Sequence, residues 1–328
     1  MHATKVCHKT LNEALSWMHN LRLDSLKASV LAAIHDRRST VTGIGRAIDS
    51  DAKEKHCIKR ADRLLSNIHL YDDHRNVYHT MTQIIIGSKK RPIILVDWSD
   101  LDGKKDHFLL CASLALKGRS IILYEETHTL KTKEKPKSHR LFLKRFYEMI
   151  AADCIPIIVT DAGFRTPWFR EVESLGWDWV GRIRNRHRIK HGNSSDNDWK
   201  DCKTFHSQAT SSPKHLGRIL LTRTAPLECE LVLYKGKSKG RTKKTKFGNR
   251  CESSHSKKNA AKEKEPWLLA SSLQVTSTLA KHVKNIYATR MQIEETFRDV
   301  KSARFGLGLE LHGTYKTKRL QILLMIVM

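Results

Sequence analysis

The sequence predicts an α/β protein with an all-helical N-terminal domain. Three observations carry that prediction. Up to about position 88 the apolar residues recur at helical spacing. From Arg91 they gather instead into short Ile-, Val- and Leu-rich runs, two of which end on an aspartate. From Leu273 to Phe305 a long stretch contains neither Gly nor Pro and reads as one helix.

In the N-terminal region, Leu21, Leu23, Leu26, Val30, Leu31 and Ile34 set out the first apolar helix face. Ser39 or Thr40 is placed to cap a short helix through Ile44 and Ile48. Asp49, Ser50 and Asp51 make a turn. A basic helix follows, with Lys53, Lys55, Lys59, Arg60 and Arg63 around Ile58, Leu64 and Leu65. Helix, turn, basic helix suits DNA binding, with Lys59, Arg60 and Arg63 as the candidate contacts. A small helical bundle with solvated lysines is the ordinary alternative.

The strands come next. Pro92 to Asp97 is a buried strand ending on a carboxylate, and Asp100 to Gly103 a hairpin turn. His107 to Leu116 and Ser120 to Glu125 are the second and third strands. Leu141 to Ala152 is an amphipathic helix, and Pro156 to Asp161 a fourth strand, again closing on an aspartate. Pro167 opens a helix, and Trp177 to Ile183 is the fifth strand. Three strands, helix, strand, helix, strand is the order of a ribonuclease H-like domain, in which the first and fourth strands adjoin and Asp97 and Asp161 meet. Trp98, Trp168, Trp177 and Trp179 read as core residues.

Residues 185–266 interrupt that order with strand signals at Arg218–Thr222 and Glu230–Tyr234. Between Lys235 and Lys264 they carry twelve Lys and Arg against two Glu, a loop suited to DNA phosphates or to water. Trp267 returns the chain to the core. The expected division is therefore 1–88 helical and DNA-binding, 89–184 catalytic core, 185–266 basic β-rich insertion and 267–328 the rest of the core. The apolar run from Leu320 to Met328 reads as a helix cut short, its packing partners missing.

The 328 residues carry a formal charge of +26, which favours a polyanionic partner. Seven cysteines are scattered without a CxxC pair, and no secretory leader precedes them. Both features suggest reduced thiols in a cytosol. Cys202 with His206 and Cys251 with His255 lack finger spacing. No apolar run approaches the roughly 20 residues of a membrane span.

On an ideal helix with Tyr287 at zero, Arg290, Glu294 and Lys301 fall near 300°, 340° and 320°. Ile286, Ile293, Phe297 and Val300 lie between about 220° and 280° and face the core. Glu295 lies near 80°, toward solvent with Gln292 and Asp299. Of the adjacent glutamates, Glu294 is thus the one aimed at a site. Two aspartates after buried strands and one glutamate on a helix form a hard-oxygen set of the kind that Mg²⁺ prefers.

The spacing of Tyr287, Arg290, Glu294 and Lys301, with Asp97 and Asp161 in order before it, resembles the signature of the DDE transposases of bacterial insertion sequences, the IS-four family, in the branch carried by transposon Tn-ten. The resemblance implies that Asp97, Asp161 and Glu294 are the catalytic and metal-binding carboxylates. Mg²⁺ is the implied cofactor, with Mn²⁺ able to substitute. It gives Tyr287, Arg290 and Lys301 to DNA phosphates and Trp267 to a flipped base. It further implies double-stranded DNA partners (terminal inverted repeats and target DNA), a homodimer in the paired-end complex, no membrane, and a nucleoid-associated place in a bacterial cytoplasm. Water would cut first, and a 3′-hydroxyl would then attack target DNA. The rival readings are a metal-dependent nuclease of the same fold, which does not join ends, and a shortened, inactive chain that only binds DNA.

Overall fold

The computed structural model describes residues 2–103, 106–184, 187–192, 198–237, 248–254, 256–257, 265–304 and 306–328. The elements in chain order are helices α1 (His2–Ala14), α2 (Asn20–Asp36), α3 (Val41–Ala47), α4 (Glu54–Leu65) and α5 (Ile68–Ile86). Strands β1 (Ile93–Asp100), β2 (His107–Ala115) and β3 (Ser120–Thr129) follow, then α6 (Pro136–Tyr147), β4 (Ile157–Thr160), α7 (Thr166–Ser174) and β5 (Asp178–Arg182). Next come β6 (Arg188–His191), β7 (Lys200–Asp201), β8 (Lys214–Leu221), β9 (Leu227–Tyr234) and β10 (Trp267–Ser271). The chain closes with α8 (Leu279–Ala288), α9 (Met291–Lys301) and α10 (Thr317–Val327). It divides into two compact units, Met1–Pro156 with Arg290–Met328, and Ile157–Thr289.

In the first unit, Thr40 caps α3 by accepting the Gly43 N–H at 3.0 Å. Gly45 lets α3 and α4 touch, since a Cβ there would stand 2.4 Å from the Ile58 Cα. Strands β1, β2 and β3 form an antiparallel meander, with Asp97 opposite Cys111 and Cys111 opposite Glu125. Helix α5 lies on this sheet. The Tyr78 hydroxyl donates to Glu125 Oε1 at 2.7 Å and the Thr82 hydroxyl to the Leu123 carbonyl at 2.9 Å.

Three expectations change in this unit. Strand β1 does not stop at Asp97; the ladder runs on through Trp98, Ser99 and Asp100, opposite Leu110, Leu109 and Phe108. Trp98 is half-buried rather than core, because its indole N–H is drawn to His139 Nε2 at 3.0 Å. The C-terminal apolar run is not bare. Leu320, Ile322, Leu323, Leu324 and Ile326 are all buried. The Gln321 side-chain amide grips β3, donating to the Glu125 carbonyl at 3.1 Å and accepting the Thr127 N–H at 2.8 Å. The partners thought missing are supplied by α2, α4, α5 and β3, at sequence distances that periodicity cannot see.

In the second unit the strand order is β4-β5-β10-β9-β8-β6-β7. Only β4 and β5 run parallel, and every other neighbouring pair is antiparallel. The strands of the basic insertion thus extend the sheet through the β9–β10 pair. Phe169 of α7 stacks on Trp179 of β5 at 4.0 Å. A Cβ at Gly181 would lie 2.4 Å from the Phe169 ring, so this strand position has to stay small. Trp168, Trp177 and Trp179 are buried. Much of the lysine-rich stretch 235–264 lies outside the described residues. Among the described residues no helix is long and apolar enough to cross a membrane.

Candidate functional site

Strand β1 and helix α9 bring three of the predicted residues together. Arg290, just before α9, has its Nη1 3.5 Å from Asp97 Oδ2 and its Nη2 2.5 Å from Glu294 Oε1. The Asp97 and Arg290 side chains are each 14% exposed, whereas that of Glu294 is 43% exposed. One guanidinium therefore ties a sheltered carboxylate to one that reaches solvent. Lys301 stands further along the same helix face and donates to Ser99 Oγ at 2.7 Å and to the Asp100 carbonyl at 2.9 Å. Burial pulls its ammonium below the usual range, against the opposing pull of Asp100, Glu310 and Asp97. Ser99 was missed in the sequence, although it shares a strand face with Asp97 by the alternation of side chains.

The apolar stripe of α9 is as expected, with Ile293, Phe297 and Val300 buried. Another expectation fails. The stretch is not one helix: α8 ends at Ala288 and α9 begins at Met291. Thr289 and Arg290 stay in the right-handed region, at φ −69°, ψ −18° and φ −53°, ψ −32°. The ladder shortens to i+3 bonds there. The Thr289 N–H and hydroxyl both donate to the Ile286 carbonyl, at 3.1 and 2.7 Å, and a hydroxyl bonded back to the helix competes with the regular ladder. The solvent stripe is borne out in part: the Glu295 and Asp299 side chains stay 37% and 44% exposed, but they pair with Arg119, and Gln292 bonds the Leu116 backbone. A wheel shows which residues share a face, not what lies against it.

Asp161, Tyr287 and Trp267 belong to the second unit. Asp161 follows β4 directly, and its Oδ1 accepts the Gly163 N–H at 2.7 Å. Tyr287 is buried at the end of α8 and meets Trp267 edge-on, with ring centroids 5.0 Å apart at 74°. Tyr234 lies 5.6 Å from Trp267 on β10. Trp267 is half-buried and so keeps part of its ring surface accessible.

In the helical region Lys59 and Arg63 are exposed on α4. Arg60 is half-buried and tied to α2, donating to the Asp24 carbonyl at 3.1 Å and to Ser25 Oγ at 3.4 Å. A cleft of about 280 Å³ between α2 and α4 is lined by His19, Arg22, Arg60, Arg63 and Asn67, among others.

Among the described residues no three His, Cys, Asp or Glu side chains form a group able to hold a metal ion. Asp97 and Glu294 converge instead on a cation that the protein supplies. The chemistry of that donor pair, two carboxylates about one positive charge, fits a hard divalent ion.

No curated protein matches the chain. A family model does: residues 88–328, everything from β1 onward, match the family described as "Transposase DDE domain". With that match across most of its length, and with the site carboxylates inside the matched region, the chain belongs to the transposase DDE domain family.

Proposed function

We propose that this chain is an insertion-sequence transposase of the IS-four branch, which binds transposon ends and then cuts and joins DNA. Transposases of this family act on DNA and generally use divalent metal ions. In our reading Asp97, Asp161 and Glu294 would hold the ions, with Mg²⁺ as the natural choice and Mn²⁺ as a substitute. The single observation that carries this reading is the joining of Asp97 to Glu294 through Arg290. Divalent ions bound there supply a nucleophile activated from water and a stabilised leaving oxygen for an in-line displacement. Arg290, just before α9, and Lys301 at its end would pair with phosphate once DNA replaces their present partners. Trp267, half-exposed with Tyr287 and Tyr234 against it, offers a ring for a displaced base.

End recognition is assigned to residues 1–88, with the exposed Lys59 and Arg63 contributing most and the tethered Arg60 less. Those helices share a core with β3 and α10, so the test uses the full chain. Replacing Lys59, Arg60 and Arg63 with Ala should weaken binding to transposon-end DNA. It should also flatten the salt dependence by about one unit of slope per lost phosphate contact. Affinity and slope unchanged in gel-shift titrations would place recognition elsewhere. For the chemistry, the decisive assay is metal-dependent cleavage and strand transfer on the DNA flanking the native gene. Cleavage without joining would identify a nuclease instead.

A further inference from the structure

Helix α9 carries Glu294 and Lys301 on one side and a second polar set, Gln292, Glu295, Thr296 and Asp299, roughly opposite. The second set is docked on the turn between β2 and β3. Gln292 Nε2 donates to the Leu116 carbonyl at 2.7 Å, and its Oε1 accepts the Leu116 N–H at 3.2 Å. One side-chain amide thus closes a ring with one residue's backbone. Arg119 reaches from the same turn to Glu295 at 2.9 Å and to Asp299 at 3.0 Å. Thr296 Oγ1 lies 2.9 Å from Ser120 Oγ. These contacts join segments 176 to 180 residues apart in the chain.

We propose that this turn is a positioning element: it fixes the fine rotation of α9 that keeps Glu294 aimed at Asp97. The inference rests on the reading of Asp97 and Glu294 as reaction carboxylates. Adjacent residues on a helix differ by about 100°, so exchanging the two glutamates would take a turn of that size, whereas a few tens of degrees would already carry Glu294 away from Asp97. The buried stripe of Ile293, Phe297 and Val300 attracts without direction and sets that angle only coarsely. Hydrogen bonds are directional, and a row of them on the opposite side sets it finely. Arg119 is 56% exposed at its side chain, and exposed ion pairs add little to stability. What the pairs with Glu295 and Asp299 contribute is therefore geometry.

The test is the Arg119→Ala/Gln292→Ala double variant in the full chain, beside wild type, Glu294→Gln and Arg119→Lys. Misplacement of a reacting group by about 1 Å can cost 10²-fold in rate, so kcat for metal-dependent cleavage should fall about 10- to 100-fold. KM for DNA should stay within about twofold, and Arg119→Lys, which keeps a cation in the turn, should recover most of the rate. Unchanged kcat in the double variant overturns the proposal. So does a joint fall of kcat, DNA affinity and unfolding midpoint that Arg119→Lys does not relieve, for that is a general folding role. If wild type does not cleave, or Glu294→Gln cleaves normally, the carboxylate reading itself has failed. The docking is then judged by amide hydrogen exchange over Met291–Lys301: faster exchange in the double variant upholds it, and unchanged exchange overturns it.

Discussion

Asp97 and Glu125 occupy one cross-strand row of the first unit's sheet, each opposite Cys111. They stand two strands apart, roughly 10 Å, and point to the same face. One remains partly open and is joined by a guanidinium to Glu294. The other is closed over by α5 and α10, with a phenol hydroxyl at one oxygen. Burial pushes the Glu125 carboxyl up to about 8, with the Tyr78 hydrogen bond pulling weakly the other way. The strand supplies both carboxylates alike. What covers the row decides whether a carboxylate faces chemistry or serves the fold.

The largest expected effect separates the two sites by activity. Asp97→Asn or Glu294→Gln should lower metal-dependent cleavage on the order of 10³-fold while DNA binding persists, because each removes a ligand charge with little change of shape. Glu125→Gln replaces a neutral acid by a neutral amide and should leave cleavage within about threefold. A Glu125→Gln variant as inactive as Asp97→Asn would break the distinction and give Glu125 a part in the reaction.

A smaller effect probes the cover itself. Gln321→Ala removes both hydrogen bonds from α10 to β3 and leaves buried backbone groups without their partner, which should cost about 1–3 kcal/mol. Urea unfolding followed by circular dichroism measures it. No loss of stability would mean that α10 shields Glu125 by apolar packing alone.

A third effect is in the pH dependence. The Glu125 pKa is raised in the folded state, so the folded protein holds a proton that the unfolded chain releases. Its contribution to stability is complete below the unfolded value of about 4.5, declines as pH rises, and is gone above about 8. Glu125→Gln should flatten the fall of Tm across that window by about 5–10 °C and leave Tm below pH 4.5 nearly unchanged. A midpoint that falls as steeply in the variant as in wild type would assign the pH dependence to other groups.

The α/β class, the strands from β1 to β5, the apolar stripe of α9 and the order of Asp97, Asp161 and Glu294 were legible before any folding was considered. These follow from local rules, since period 2 or 3.6 and turn residues are written into neighbouring positions. The same rules placed Glu294, Arg290 and Lys301 on one helix face. Tertiary structure alone decided which polar face met protein. Gln292, Glu295 and Asp299 do face solvent, but nothing near them in sequence names their partners Leu116 and Arg119. The burial of the C-terminal run was equally hidden, as its partners lie in α2, α4, α5 and β3. The break at Thr289, where the N–H and the hydroxyl both bond the Ile286 carbonyl, has no Gly or Pro to mark it in the sequence. Periodicity fixes the direction in which a side chain leaves its own element; what waits there is set by segments brought together only when the chain folds.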